Sequence, residues 1–291
     1  MCRNAGLRTL YREFFRWMGR TELFRAGPNS SLEQADLFPL IYLGILLEGT
    51  PDRYGAVRHL LIDEMQDYTP VQYAVTARLF RCEKTILGDV SQSVSPFSAS
   101  SADMISRVFR EGDCVKLCKS YRSSYEITRF AQAISPNEDL VPIERHGEEP
   151  QVLAFDSRKG ELGHIGQVIE AFSGQGFRTM GIICKTQKQA EQLYHALEGA
   201  STKVHLLTPE SVTFEEGVVV CSAHMAKGLE FDQVVLPEAS AGNYSTRLDK
   251  NLLYVACTRA MHRLTVTCSG EITPLIPGAD PEQAMVAGSR T

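Results

Sequence analysis

Residues 59–67 read His-Leu-Leu-Ile-Asp-Glu-Met-Gln-Asp, a short apolar run that ends in two adjacent acids. An uninterrupted apolar run predicts a strand buried on both faces, as in a parallel sheet covered by helices. At the carboxyl end of such a strand, where α/β sheets bind ligands, one carboxylate can hold Mg²⁺ while its neighbour deprotonates a water. We therefore predict Asp63 as the metal residue and Glu64 as the catalytic base. Taken alone, the pair also fits the start of a solvated loop.

Seven further apolar runs extend this α/β pattern along the chain. They lie at 85–87, 115–117, 151–155, 180–184, 218–221, 233–236 and 264–267. Before the first strand, three-four spacing of apolar residues predicts a helix over 7–17 and another over 31–47, which together form a helical lead-in over 1–50. A domain boundary is expected near 112–114. The Pro-, Gly- and Ala-rich residues from 270 onward are expected to form a flexible tail.

The composition excludes several classes of protein. With 291 residues, 43% hydrophobic and 22% charged, the chain is long enough for two globular domains and is neither disordered throughout, collagenous nor membrane-embedded. A net charge of -5 gives no overall basic field, so any nucleic-acid contact must be a local groove. Eight cysteines without a C-x-x-C pair indicate reduced thiols instead of a disulfide frame or zinc site. The absence of a signal-like or 18-residue apolar run leads us to expect a cytoplasmic protein without a membrane partner.

Four later segments carry polar and aromatic residues suited to nucleotide chemistry. Residues 85–93 repeat the strand-then-acid design and add Gln92, whose amide can donate to a phosphate and accept from a water. Residues 117–123 place Tyr121 beside Arg122. Residues 221–232 follow an apolar strand, and residues 252–260 lie on a predicted helix.

In order and spelling, these segments resemble the motifs of the UvrD/Rep family of superfamily 1 helicases. The matches are motif II at 63–67, motif III at 88–93, motif IV at 121–123, motif V at 224–230 and motif VI at 254–260. Residues 35–43 look more like the branch that contains helicase IV and the RNA-polymerase-recycling protein HelD. The resemblance implies RecA-like parallel sheets flanked by helices. It assigns 1–113 to the C-terminal part of a first RecA-like domain, with motifs II and III in 57–97, and 114–269 to a complete second one, followed by a tail over 270–291.

The resemblance also implies roles for individual residues, because in such helicases ATP lies between the two RecA-like domains. Tyr121 stacks on adenine, Glu230 holds the ribose and Gln92 senses the γ-phosphate. Arg122 and Arg259 reach that phosphate as arginine fingers, which stabilise the charge that develops in phosphoryl transfer. Asp67 is also implied to bind the nucleotide. The alternative for each arginine is a surface ion pair.

A single strand of nucleic acid, expected to be DNA, should cross both domains. The residues implied by the resemblance are Phe97 as the stacking aromatic after motif III, and Ser222, His224 and Lys227 in motif V. Ser95 and Ser98 replace the Tyr and Arg that the family carries there, so binding of the isolated chain is expected to be weak. His224 could instead be an ordinary loop histidine.

The phosphate-binding loop G-x-x-x-x-G-K-[ST] occurs nowhere in the 291 residues. That loop supplies the backbone N–H groups and the lysine that hold the β- and γ-phosphates, and in the family it precedes motif II. We therefore expect the C-terminal part of a helicase, inactive by itself and completed by a missing N-terminal helicase region. In the alternative, the chain is a stand-alone regulatory module that binds RNA polymerase or another helicase subunit. The spacing from Arg122 to Ser222 also leaves little room for the large helical insertion that UvrD and Rep carry.

Overall fold

Two units make up the chain, Met1–Cys114 and Val115–Thr291. The structure is a computed structural model that describes residues 6–25, 31–93, 102–109, 112–172, 176–198, 202–211, 216–276 and 285–286. Throughout these ranges, every helix is too short or too polar to span a lipid bilayer.

The first unit begins with two packed helices. Helix α1 covers Leu7–Trp17, as predicted, and α2 covers Gln34–Glu48, three residues later than the predicted start. Their apolar faces meet in a small core around Tyr11, whose hydroxyl donates to Asp36 Oδ1 at 3.1 Å. Burial, together with this carboxylate neighbour, raises the pKa of Tyr11 to about 12. The lead-in is thus a helical pair closed over one buried tyrosine.

The sheet of the first unit contains strands β1, His59–Ile62, and β2, Glu83–Ile86, paired in parallel. Helix α3, Pro70–Leu79, connects them, and α4, Ala102–Val108, follows. The prediction that β1 is buried on both faces is wrong. Ile62 is 3% exposed but Leu61, which points to the opposite face of the strand, is 60% exposed.

The second unit is built on a larger parallel sheet. A separate two-stranded sheet pairs β3, Lys119–Ser120, in parallel with β4, Val141–Pro142. The main strands are β5 Gln151–Phe155, β6 Thr179–Cys184, β7 Val204–Leu206, β8 Gly217–Ser222, β9 Phe231–Leu236, β10 Ala260–Ser269 and β11 Met285–Val286. They run in the order β11-β5-β10-β9-β6-β8-β7, and every pairing is parallel. The helices are α5 Tyr125–Ile134, α6 Arg158–Phe172, α7 Gln187–Ala196 and α8 Arg247–Cys257. The prediction of an α/β fold with parallel sheets flanked by helices is confirmed.

One core cluster of the second unit lies between the sheet and helices α6 and α7, and helices α5 and α8 also bury apolar residues. The central strands β6, β8 and β9 are buried on both faces, as their uninterrupted apolar runs predicted. Close packing leaves no room at Gly181 in β6, where an added Cβ would lie 2.6 Å from the Phe231 ring. Four cysteines are buried in this unit, namely Cys184, Cys221, Cys257 and Cys268.

Three local predictions for the second unit are wrong. Residues 115–117 form no strand, because Val115 and Leu117 are 79% and 86% exposed and the pairing with β4 begins only at Lys119. Helix α8 ends at Cys257 and β10 begins at Ala260, so the last residues of the predicted helix 252–260 form the turn between them. Residues 270–276, expected within a flexible tail, are instead packed. Their apolar Ile272 and Ile276 are 8% and 2% exposed, and this burial holds the segment in place.

Candidate nucleotide site

In the first unit, the candidate residues gather at the carboxyl ends of β1 and β2. Asp63 follows β1 directly, is exposed, and accepts the backbone N–H of Glu64 at 2.8 Å through Oδ1. Glu64 has a left-handed backbone, with φ 52° and ψ 50°, a conformation that is uncommon for a residue with a side chain and concentrates at functional sites. This turn directs the chain into a short 3₁₀ helix, Met65–Asp67. Asp67 lies exposed at the end of that helix.

Gln66 bonds to both predicted motifs, a role that the sequence did not reveal. It is 1% exposed, donates from Nε2 to Glu64 Oε2 at 2.5 Å and accepts the backbone N–H of Asp89 at 3.0 Å. The Gln66 side chain lies so close to the backbone of Gly88 that a Cβ added at Gly88 would be 2.4 Å from Gln66 Oε1. A glutamine between two acids was the available signal, but only the fold shows that it spans the ends of two strands.

Gln92 completes this cluster. Its Nε2 donates to Asp89 Oδ2 at 3.1 Å, and Asp89 is bonded through its backbone to Gln66. The predicted base Glu64 and the predicted sensor Gln92 are therefore connected through two intervening residues. Hydrogen bonds in such a chain polarise one another and restrict the rotamers of every member. The cluster can hold a carboxylate and an amide in fixed orientations at one edge of the sheet.

In the second unit, Arg122 and Glu230 meet although 108 residues separate them. Arg122 Nε donates to Glu230 Oε1 at 2.6 Å, and the two side chains are 34% and 46% exposed. The neighbouring Tyr121 is 67% exposed, so its ring face is available for stacking. The predicted ribose residue and one predicted arginine finger are thus each other's partners in this conformation.

Arg259 lies next to this pair but is buried, with 1% of its surface exposed. Its guanidinium donates to the backbone carbonyls of Val255 at 3.2 Å and Leu229 at 3.3 Å. Its own carbonyl accepts the N–H of Phe231 at 2.9 Å. These bonds flank Glu230 on both sides. Three predicted residues from three distant parts of the sequence, Arg122, Glu230 and Arg259, therefore come together at one place in the second unit.

The motif V residues form a turn after β8, and they differ in accessibility. Ser222 is only 3% exposed, and its carbonyl accepts the N–H of Ala226 at 2.9 Å. His224 is exposed and Lys227 is half-buried, so these two can reach a ligand more readily than the serine hydroxyl. Phe97, together with Ser95 and Ser98, lies outside the described residues.

Lys185 lies at the same edge of the sheet, because β6 pairs with β8 and Cys184 is opposite Ser222. Its Nζ is 2.7 Å from Asp249 Oδ1. Burial alone would raise the pKa of Asp249, but hydrogen bonds from Lys185 and from the backbone N–H groups of Ser245 and Thr246 outweigh it and lower the pKa to about 2. This ion pair fixes the start of α8, the helix that leads to Arg259.

Comparison with known proteins adds the family relationship. Residues 217–267 match the sequence model of the UvrD-like helicase C-terminal domain. The chain is 25% identical over 169 residues to the ATP-dependent DNA helicase srs2 of Schizosaccharomyces pombe. That alignment covers 53% of this chain and 19% of the yeast protein. It is 22% identical over 312 aligned positions to R568 of Acanthamoeba polyphaga mimivirus, itself provisionally assigned as an ATP-dependent DNA helicase. This second alignment covers 92% of this chain and 44% of the viral protein.

Among solved structures, the C-terminal domain of a possible DNA helicase from Lactobacillus plantarum WCFS1 is 31% identical, with a TM-score of 0.47. The alignment covers 55% of this chain and 94% of that one. The chain spans less than half the length of the two helicases to which it is similar in sequence. These matches confirm the resemblance to the C-terminal part of a UvrD/Rep-type helicase that the motifs predicted.

Proposed function

We propose that the chain is the C-terminal portion of an ATP-dependent DNA helicase or translocase. In this proposal it contributes Walker B carboxylates, a γ-phosphate sensor and two arginine fingers to an ATP site. The observation that carries the proposal is the convergence of Arg122, Glu230 and Arg259. Two guanidinium groups suit the phosphates of a nucleoside triphosphate, and the carboxylate suits its ribose hydroxyl groups. The similarity to proteins named as ATP-dependent DNA helicases supports the same activity.

The first-unit cluster suits the hydrolytic half of this chemistry. Glu64, oriented by its bond from Gln66, would accept a proton from the attacking water, and Gln92 would orient that water against the terminal phosphate. The exposed carboxylate of Asp63 fits Mg²⁺, which binds proteins through one or two carboxylates and keeps waters and phosphate oxygens as its other ligands. Bound Mg²⁺ would supply charge neutralisation of the phosphates. The described residues contain no group of three or more His, Cys, Asp or Glu side chains that could hold a metal ion.

The two arginines would act after a change of partner. Arg122 must leave Glu230, and the ribose hydroxyl groups of the nucleotide offer that carboxylate new donors. Arg259 must exchange the carbonyls of Val255 and Leu229 for phosphate oxygens, which form stronger, charge-assisted hydrogen bonds. Tyr121, already exposed, would stack on the base. Nucleotide binding would in this way release the arginines from bonds within their own unit.

A missing N-terminal helicase region would supply the phosphate-binding loop, which the 291 residues lack. Exposed apolar side chains in the first unit, including Leu61 at 60% and Leu87 at 45%, support contact with such a polypeptide, since parallel strands are normally covered on both faces. Without the loop, the isolated chain should not hydrolyse ATP at a measurable rate. Raising the concentration of Mg²⁺ or of ATP should not produce hydrolysis by the isolated chain.

Single-stranded DNA is the proposed track, and the carboxyl edge of β6 and β8 in the second unit supports it. There the exposed His224 and the half-buried Lys227 follow β8, in a chain whose overall charge is -5. Contacts of this kind are made to phosphates and weaken steeply as salt rises. We expect weak binding by the isolated chain that is lost between 50 and about 200 mM salt. Tight binding that does not depend on salt would contradict this proposal.

The test of the proposed activity is reconstitution. The chain is mixed with an N-terminal helicase fragment that carries the phosphate-binding loop, and hydrolysis of ATP is measured with and without single-stranded DNA. DNA-stimulated hydrolysis is expected only in the mixture. Arg259→Ala should lower its rate by about 10³-fold or more, the scale for loss of an arginine finger. Arg178→Ala, the matched control, removes a guanidinium that is 75% exposed and paired with Glu216, and it should leave the rate unchanged. Hydrolysis by the chain alone, or full activity of Arg259→Ala, would refute the assignment.

A further inference from the structure

Arg145 connects the two segments that carry the candidate arginine fingers. Its Nη2 donates to the backbone carbonyl of Arg122 and, at 3.3 Å, to the backbone carbonyl of Met261, two residues beyond Arg259. Its Nε is buried and has no hydrogen-bond partner among the described residues. Leaving a buried donor unpaired is costly. The guanidinium nevertheless keeps the orientation in which Nη2 reaches the two carbonyls.

The same two segments also bond to each other directly. Ser123 Oγ donates to the carbonyl of Ala260 at 2.6 Å, and the backbone N–H of Ser124 donates to the carbonyl of Met261 at 3.1 Å. Both serines are almost fully buried, at 3% and 2% exposure. Hydrogen bonds shielded from water in this way resist local opening. Ser123, which follows Arg122, is therefore hydrogen-bonded to Ala260, which follows Arg259.

The chain around Arg145 is fixed on both sides. Its backbone carbonyl accepts the N–H of Tyr125 at 2.8 Å, and the N–H of Gly147 donates to Glu126 Oε2 at 2.8 Å. On the other side, Glu148 accepts from Arg263 Nε at 2.8 Å, in strand β10. Residues 145–148 thus span from the start of α5 to β10. This makes Arg145 a fixed point between the two segments.

We infer that Arg145 is a positioning residue that keeps Arg122 and Arg259 in register for phosphoryl transfer, an inference that rests on the function proposed above. Two fingers that act on one phosphate must keep a constant separation, and a displacement of about 1 Å can cost about 10²-fold in rate. Arg145 touches neither guanidinium. It acts on the backbone that carries them, through two bonds donated by the single nitrogen Nη2 of its rigid, planar guanidinium.

The structural part of the inference is tested on the whole chain without nucleotide. Amide hydrogen exchange is measured for the wild type, Arg145→Met, Arg145→Lys and the control Arg178→Met, which loses an exposed guanidinium. Arg145→Met should speed exchange of the Ser124 amide about tenfold, as expected when a supporting hydrogen bond is lost, while Arg178→Met should not. Arg145→Lys should lie between the two. Unchanged exchange at Ser124 in Arg145→Met would overturn the inference, whatever the result with ATP.

The functional part uses the reconstituted mixture. Arg145→Met should lower kcat by about 10²-fold and leave the KM for ATP within about twofold, since binding groups remain while the geometry of the transition state is lost. Arg145→Lys should recover part of kcat. A larger KM with normal kcat, or the same loss in Arg178→Met, would overturn the positioning role. Absence of hydrolysis in the wild-type mixture would contradict the proposed function instead, and the exchange experiment would still decide whether Arg145 couples the two segments.

Discussion

Replacement of Asp249 by asparagine should destabilise the second unit by an amount that depends on pH. Asp249 is 3% exposed and joins three donors at the start of α8, namely Lys185 and the backbone N–H groups of Ser245 and Thr246. Asparagine keeps a side-chain oxygen that can accept from the backbone. It removes the negative charge, however, and leaves the ammonium of Lys185, 22% exposed, without its carboxylate.

The size of the effect follows from the pKa of Asp249, which is lowered from 3.8 to about 2. At 1.36 kcal/mol per pKa unit, this corresponds to about 2 kcal/mol, and solvent around the lysine reduces it to roughly 1 to 2 kcal/mol. A lowered pKa means that the stabilisation is fully present above pH 3.8 and is lost as the pH falls through 2. Roughly half of it should remain at pH 3.

Urea unfolding of wild type and Asp249→Asn, followed by circular dichroism at pH 7, 5 and 3, measures this difference directly. The free energy of unfolding should differ by the same amount at pH 7 and 5 and by less at pH 3. Asp156→Asn, which changes an exposed aspartate after β5, is the matched control and should stay within about 0.5 kcal/mol of wild type. A difference that is independent of pH, or a variant as stable as wild type at pH 7, would refute the reasoning.

Two further predictions concern glycines whose surroundings differ. Gly181→Ala should lower the free energy of unfolding by about 1 to 3 kcal/mol or more, because its Cβ would lie 2.6 Å from the ring of Phe231. Gly163→Ala in α6, where an added Cβ would have no atom within 4 Å, should be neutral or stabilising by up to about 1 kcal/mol. Equal effects in thermal unfolding would contradict this packing. Gly88→Ala should displace Gln66, 2.4 Å from the added Cβ, and abolish hydrolysis in the reconstituted mixture. Wild-type kcat in that variant would show that Gln66 does not orient the candidate base.

The strands and the order of the motifs could be predicted because they are local properties of the sequence. Uninterrupted apolar runs such as 180–184 and 218–221 match buried central strands to within a residue or two. The run at 115–117 failed for a physical reason. Two exposed apolar residues around a lysine do not make a strand unless a neighbouring strand pairs with them, and in the described part of the chain the pairing with β4 begins at Lys119.

The contacts that organise the candidate site could not be predicted, because they join distant residues through backbone groups. Gln66 accepts from the N–H of Asp89, and Arg145 donates to the carbonyl of Met261, 116 residues away. Every residue has such backbone groups, so the sequence offers no signal for which of them is used. The burial of Arg259 escaped prediction for the same reason, since its guanidinium donates to the backbone carbonyls of Val255 and Leu229.

The most direct measurement is an experimental structure of the reconstituted protein with a non-hydrolysable ATP analogue and Mg²⁺. We predict that the guanidinium groups of Arg122 and Arg259 lie about 2.7 to 2.9 Å from oxygens of the terminal phosphate. Arg259 would then have left the carbonyls of Val255 and Leu229. A nucleotide bound elsewhere, or bound while both arginines keep their present partners, would contradict the account.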